Sequence, residues 1–111
     1  MSADICPKAP RELAELRRSL GPDTEAAFQA FSKSVFSEGA LSSKTKQLIA
    51  VAVAHVTQCP YCITGHTKSA QRAGATAQEL MEAVSVAAEM RAGAAFAHST
   101  LMLGTLDQTK T

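Results

Sequence analysis

The chain has 111 residues, of which 46% are hydrophobic and only 5% aromatic, and a formal net charge of +1. We expect residues 1–111 to form one domain with a single core, built mainly from Ala, Leu, Val and Met, a composition that favours close-packed helices. A net charge this small provides no field that would attract nucleic acid or an anionic membrane surface, so neither partner is expected.

The N-terminal segment lacks the basic stretch and apolar run of a secretory signal. The longest apolar stretch, residues 48–54, is far shorter than the roughly 20 residues of a membrane-spanning helix. We therefore expect a soluble, cytoplasmic protein. Three cysteines without a signal do not indicate a structural disulfide framework. Cys6 lies in residues 1–9, which we expect to be flexible, and is interpreted as incidental.

Two helices are predicted in the first third of the chain. Pro10 occupies a first helical position, and the helix that it starts ends before Gly21. Asp23 is predicted to cap a second helix, which stops at Gly39. The apolar face of the first helix is formed by Leu13, Leu16 and Leu20. Both helices are interpreted as scaffold.

A third helix is predicted to begin at residues 41–43 and to become apolar almost all round after Gln47. In so small a domain, one layer of neighbouring helices covers only part of such a surface. We therefore expect a partner subunit to cover the rest, and the sequence predicts a homo-oligomer.

Two further helices complete the predicted fold. The fourth covers residues 60–72, is started by its proline and is ended by Gly74. Thr76 and Glu79 form a predicted capping box for the fifth. Because no strand, linker or internal repeat is predicted, the fold class is all-α, with the core at about residues 23–103.

The residues that carry chemistry are Cys59 and Cys62, in a Cys-Pro-Tyr-Cys sequence, and His66. At a helix N-terminus the two sulfurs lie one turn apart, close enough for a disulfide. The helix dipole favours a thiolate there, and by itself favours Cys59 as the more acidic thiol. His66 lies on nearly the same face as both cysteines and can accept a thiol proton near neutral pH. The sequence therefore predicts a dithiol redox site with a histidine base.

Other interpretations of these three residues stay open. The cysteines can be simple packing residues. A structural zinc site would need a fourth ligand, from His55, His98 or another chain. We expect no metal and no other cofactor.

Five further residues are candidates for a proton relay or for the pocket wall: Gln47, His55, Tyr61, Glu89 and His98. Gln47 either directs its polar atoms towards the cysteine helix or is an exposed helix residue. His55 is a core or interface histidine or a relay member, and Tyr61 shapes the pocket or merely packs. Glu89 and His98 are nine residues apart, a spacing that does not by itself bring them together.

Residues 41–50, with the Cys-x-x-Cys-x-x-x-His motif that ends at His66, resemble the carboxymuconolactone decarboxylase / alkylhydroperoxidase D family. The resemblance covers roughly residues 28–103 and includes the capping segment at residues 74–76. It implies an all-α, alkylhydroperoxidase D-like fold in dimers and often in trimers or hexamers. It also implies that Cys62 attacks the peroxide, that Cys59 resolves the sulfenic acid as a disulfide, and that an external dithiol reductant restores the pair.

The family pattern and the helix-dipole argument differ over which sulfur attacks. We follow the family, because His66 matches the histidine that activates the attacking thiol and lies one turn from Cys62. Family relays commonly have a glutamate where this chain has Gln47, which cannot exchange a proton. His55, Glu89 or His98 are candidates to replace it; otherwise we expect weak peroxidase activity or another thiol–disulfide partner.

The sequence therefore predicts a thiol-dependent peroxidase that reduces hydroperoxides without haem, flavin or metal. Two alternatives remain. One is a lactone decarboxylase-like enzyme that uses a histidine for acid–base catalysis, although the decarboxylase branch generally lacks the cysteine pair. The other is a cysteine-based redox sensor. Turnover that depends on Cys62 distinguishes the first hypothesis from both.

Overall fold

The structure, a computed structural model, describes residues 11–106. This range holds five α-helices and no strand, so the predicted all-α class is confirmed. The helices are α1 (Arg11–Leu20), α2 (Pro22–Phe36), α3 (Ser43–Thr57), α4 (Pro60–Arg72) and α5 (Ala77–Thr105). The predictions of a flexible segment at residues 1–9 and of an incidental Cys6 lie outside the described residues.

The predicted starts of α3 and α5 are confirmed by their caps. The Ser42 hydroxyl accepts the backbone N–H of Thr45 at 3.1 Å. At α5, Thr76 Oγ1 accepts the Glu79 N–H at 3.1 Å, while the Glu79 carboxylate accepts the Thr76 N–H at 2.9 Å. These bonds satisfy amides that have no partner within the helix, which fixes where each helix begins.

Both predicted ends of α2 are wrong. Asp23 is not the cap, because the helix already begins at Pro22, with Gly21 as an N-cap that makes no side-chain hydrogen bond. Proline suits this first position, since it has no N–H to satisfy and its φ is already helical. The helix ends at Phe36, three residues before Gly39, where the chain turns extended.

Two tight turns on either side of α4 confirm its predicted bounds, Pro60–Arg72. Gln58 closes α3 in the left-handed conformation, with φ 55°. Gly74 follows α4 with φ 97°, a backbone conformation that strongly favours glycine. The short connection at residues 58–59 makes α3 and α4 an antiparallel pair.

The centre of the fold is α3, which packs against both α4 and α5. Val51, Ala54, Ala70 and Ala87 are the fully buried apolar residues within residues 11–106. Small side chains at these positions let the three helix backbones approach closely, so this small core determines the distance between α3 and the cysteine-bearing α4.

α5 runs parallel to α3 and is fixed to it near both ends of α3. At the N-terminal ends, Lys44 Nζ lies 2.8 Å from Glu79 Oε2. At the other end, Arg91 Nη1 donates to the Val56 carbonyl at 2.7 Å, where a cation also complements the dipole of α3. Beyond Arg91, α5 continues to Thr105 with nearly every residue exposed.

Much apolar surface is exposed among residues 11–106. α1 and α2 have no buried residue, and Phe96 and Leu101 on α5 are 79% and 70% exposed. The radius of gyration is 19.2 Å, whereas a compact domain of about 100 residues has about 13 Å. None of the helices in residues 11–106 is long and apolar enough to cross a membrane.

Candidate functional site

The two cysteines lie at the start of α4. Cys59 is the N-cap residue, and its sulfur accepts the backbone N–H of Cys62 at 3.3 Å. Both are free thiols; Cys59 is half-buried and Cys62 is exposed. Pro60 at the first helical position fixes the direction in which α4 leaves this cap. The cap geometry therefore holds the two side chains side by side at the positive end of the helix.

The contact between the thiols makes them chemically unequal. The hydrogen bond from the Cys62 side chain lowers the pKa of Cys59, and the Cys62 backbone N–H acts in the same direction. The same side-chain contact raises the pKa of Cys62, with loss of hydration as the second cause. Cys59 is therefore the more acidic thiol, in agreement with the helix-dipole argument.

His66 is held by residues from two other helices. Its Nδ1 lies 2.8 Å from Oε1 of Gln47 on α3, and its ring stacks on Phe36 of α2 at a centroid distance of 5.1 Å and an angle of 29°. Because an amide oxygen only accepts, Nδ1 carries the proton, which leaves Nε2 of the neutral ring as an acceptor. Gln47 is only 8% exposed, so its interpretation as an exposed helix residue is wrong.

An apolar groove of about 390 Å³ lies between α2, α3 and α4, and both Cys62 and His66 line it. Its other lining residues are Val35, Phe36, Lys46, Ile49, Ala50, Val53, Ala54 and Thr57. The groove is within the usual size range of small-molecule sites, which are mostly apolar with a few polar groups. This arrangement can bring an apolar molecule to the Cys62 sulfur while the imidazole of His66 accepts or donates a proton.

The remaining candidate residues lie away from the groove wall. His55 Nδ1 donates to the Val51 carbonyl at 2.7 Å within α3. Tyr61 is 55% exposed on α4, and Glu89 and His98 are exposed on α5. The fold thus brings Gln47 to His66 but does not bring His55, Glu89 or His98 into the groove that holds Cys62.

The zinc interpretation has no ligand set in residues 11–106. No group of three or more His, Cys, Asp or Glu side chains in this range is arranged to hold a metal ion. In particular, His55 is engaged with its own helix backbone rather than completing a set with Cys59 and Cys62.

Of the residues that line the groove, only Cys62 and His66 were predicted from the sequence as site residues. Phe36, interpreted as scaffold, forms one face of the His66 environment. Lys46 and Ile49 face the groove from α3. The available signal was the spacing of the lining residues of α3, which recur every three or four positions from residue 46 to residue 57 and so share one helical face.

The family model described as the carboxymuconolactone decarboxylase family matches residues 22–103. Two relatives match over most of the chain. "Uncharacterized protein 4 in cox locus" from Paracoccus denitrificans is 60% identical over 107 residues, 96% of each chain. An uncharacterized protein from Cupriavidus necator is 33% identical over 101 residues, which is 86% of this chain and 89% of that one.

Two solved structures are similar to this one. The first is a carboxymuconolactone decarboxylase family protein from Legionella pneumophila, 37% identical with a TM-score of 0.65, over 71% of this chain and 70% of that chain. The second is a structural-genomics protein from Methanobacterium thermoautotrophicum, also 37% identical with a TM-score of 0.71, over 76% and 94% of the two chains.

Proposed function

Because the chain belongs to the carboxymuconolactone decarboxylase family, which includes alkylhydroperoxidase-like members, we propose that it is a thiol-dependent peroxidase. In this proposal it reduces hydroperoxides through a dithiol–disulfide cycle of Cys59 and Cys62, assisted by His66. The observation that carries the proposal is that Cys62 and His66 line one apolar groove, with the Cys59 sulfur hydrogen-bonded to the backbone N–H of Cys62.

The reaction consists of two steps at sulfur. The Cys62 thiolate attacks the distal oxygen of ROOH, the O–O bond breaks, and RO⁻ leaves to become the alcohol after protonation, so that Cys62 becomes a sulfenic acid. The Cys59 thiolate then attacks that sulfur, hydroxide leaves and is protonated to water, and a Cys59–Cys62 disulfide forms. An external dithiol reduces the disulfide and becomes oxidised itself.

His66 is proposed as the base that prepares Cys62. With Nδ1 donating to Gln47, the Nε2 lone pair is the ring's acceptor, and the ring lines the same groove as the Cys62 side chain. The Cys62 thiol has a raised pKa, so it benefits from such a base. The proton that Nε2 takes can return to the departing RO⁻.

The different acidities of the thiols suit the two proposed roles. The lowered pKa of Cys59 favours its thiolate, which is the form that attacks in the resolving step. Cys62 is the more exposed of the two and is the one that lines the groove. Access to peroxide, rather than resting acidity, is therefore the basis for assigning the attack to Cys62.

We further propose that the working form is a homo-oligomer, a trimer or a hexamer. Support comes from the exposed apolar residues of α1, α2 and α5. A second apolar groove, of about 420 Å³, lies between α3 and α5 and is lined by residues such as Val56, Val86 and Met90. Contiguous apolar surface of this kind marks interaction sites in soluble proteins.

One observation favours a second candidate, a cysteine-based redox sensor. The amide of Gln47 cannot pass a proton onward, so the described proton path ends at His66. A site of this kind can form its disulfide once and be reduced slowly, which is sensing rather than turnover.

The test is steady-state reduction of cumene hydroperoxide with a small dithiol as reductant. The proposal expects repeated turnover by the unchanged protein, complete loss in Cys62→Ser, and a single sulfenic acid event without turnover in Cys59→Ser. A single stoichiometric oxidation of the unchanged protein, without further turnover under excess dithiol, would favour the sensor. Activity that survives Cys62→Ser would refute the cysteine mechanism.

A further inference from the structure

Lys46 carries the only fixed charge among the described residues that line the Cys62 groove. Its side chain is half-buried, and Nζ donates to the Ser37 carbonyl at 2.7 Å. An ammonium group has three N–H donors, so this bond leaves two for another acceptor. No carboxylate within residues 11–106 forms an ion pair with Lys46; the ion pairs of that range belong to Arg11, Arg17 and Lys44.

The position of Lys46 relative to the cysteines follows from the antiparallel packing of α3 and α4. Gln47, the next residue, reaches His66 directly, so Lys46 lies at the level of His66. Cys62 lies four residues before His66, about 6 Å along α4 towards the turn. The groove therefore holds a cation and a thiol that are offset by about one helical turn along α4, and most of its other lining residues are apolar.

We infer that this groove takes an amphipathic hydroperoxide, in which a carboxylate pairs with Lys46 and the apolar acyl chain carries its hydroperoxide group to Cys62. The inference rests on the proposed function. Hydrogen peroxide would use neither the apolar walls nor the cation. A carboxylate matches the single charge of Lys46, whereas a phosphate monoester carries nearly two.

Lys46 also has a structural contact that the experiment must separate from substrate binding. Its bond to Ser37 lies at the C-terminal end of α2, where a cation is favoured. Loss of this bond can loosen α2, and with it Phe36, for every substrate equally. A charge role is distinguished because its loss lowers turnover of a carboxylate substrate more than turnover of the corresponding neutral ester.

The first measurement compares a fatty acid that carries its hydroperoxide on carbon 5 with the methyl ester of that acid, as the ratio of their kcat/KM values. A charge-assisted hydrogen bond at a half-buried site predicts a preference for the acid of about tenfold. Lys46→Met should bring the ratio to about one, because turnover of the acid falls about tenfold further than turnover of the ester, and Lys46→Arg should retain most of the preference. Lys68→Met is the matched control, since Lys68 is exposed on α4 and does not line the groove.

The second measurement is independent of peroxide chemistry. Octanoate, octanamide and octyl phosphate are titrated into Cys62→Ser protein by calorimetry. Octanoate should bind about tenfold more tightly than octanamide, and only while Lys46 is present. If octanoate binding depends on Lys46 but the unchanged protein turns over no hydroperoxide, the proposed function fails and only the pairing of a carboxylate with Lys46 is retained.

Three results would overturn the inference and leave the peroxidase proposal standing. The first is equal turnover of acid and ester by the unchanged protein. The second is equal binding of octanoate and octanamide, and the third is tighter binding of octyl phosphate than of octanoate. A loss of ester turnover in Lys46→Met equal to the loss of acid turnover would assign Lys46 to the structural contact with Ser37 alone.

Discussion

Replacing Gln47 by leucine tests the positioning of His66. Leucine has a volume similar to that of glutamine, but it cannot form the 2.8 Å hydrogen bond with His66 Nδ1. A hydrogen bond of this kind contributes about 1 kcal/mol, and an unsatisfied buried donor costs about 1–3 kcal/mol. Because the His66 ring is only half-buried and water can reach part of it, we expect a loss near the lower end, about 1–2 kcal/mol.

That loss should appear in the reaction rate, since an imidazole that rotates no longer presents Nε2 steadily to the groove. About 1–2 kcal/mol corresponds to a 5- to 30-fold fall in the rate of Cys62 oxidation. The assay is stopped-flow measurement of thiol oxidation by excess hydroperoxide, with Gln71→Leu as the control because Gln71 is exposed on α4. Gln47→Glu should retain the rate of Cys62 oxidation, since the glutamate carboxylate also accepts a hydrogen bond from His66 Nδ1. An undiminished rate in folded Gln47→Leu protein would refute the positioning role.

Three further outcomes are expected. Cys59→Ala should lower the pKa of Cys62, and Cys62→Ala should raise the pKa of Cys59, because each remaining thiol loses the partner that shifts its pKa. Thiolate absorbance as a function of pH measures both pKa values. Shifts of the two pKa values in the same direction would contradict the shared hydrogen bond. Glu79 has a pKa below its usual 4.5 because of its hydrogen bond with Lys44, so it contributes stability above that pH, which is lost as the pH falls through the lowered pKa. Thermal unfolding at several pH values should therefore show a weaker acid dependence in Glu79→Gln, and an unchanged dependence would assign it to other groups. Phe96→Ser should shift the proposed homo-oligomer towards smaller species in light scattering, because this side chain is 79% exposed in one copy. An unchanged mass would contradict a role of Phe96 in the proposed interface.

Local signals in the sequence were sufficient for most of the helix boundaries. Ser42 and the pair Thr76 and Glu79 cap their helices as predicted, because a cap depends on residues within one turn. The prediction that Asp23 caps α2 was wrong, since Pro22, one position earlier, is an equally local and stronger signal for the start of the helix.

The candidate site could be predicted only in part from the sequence, because its geometry depends on contacts between distant segments of the chain. The spacing of Cys59, Cys62 and His66 follows from one helix and could be read directly. The bond between Gln47 and His66 joins residues 19 positions apart, and the stacking of Phe36 requires the C-terminal end of α2 to lie beside His66. Helical periodicity alone does not determine how helices pack, so these contacts needed the fold.

In the proposed mechanism, a hydroperoxide converts the two thiols into one intramolecular disulfide. Peptide mass spectrometry after treatment with a stoichiometric amount of cumene hydroperoxide detects this product. We expect loss of both thiols and a Cys59–Cys62 linkage that a dithiol reverses, with a sulfenic acid on Cys62 alone in the Cys59→Ser protein. Both thiols remaining free after prolonged exposure would contradict it, and so would a sulfenic acid that forms on Cys59 in the Cys62→Ser protein as fast as on Cys62 in the Cys59→Ser protein.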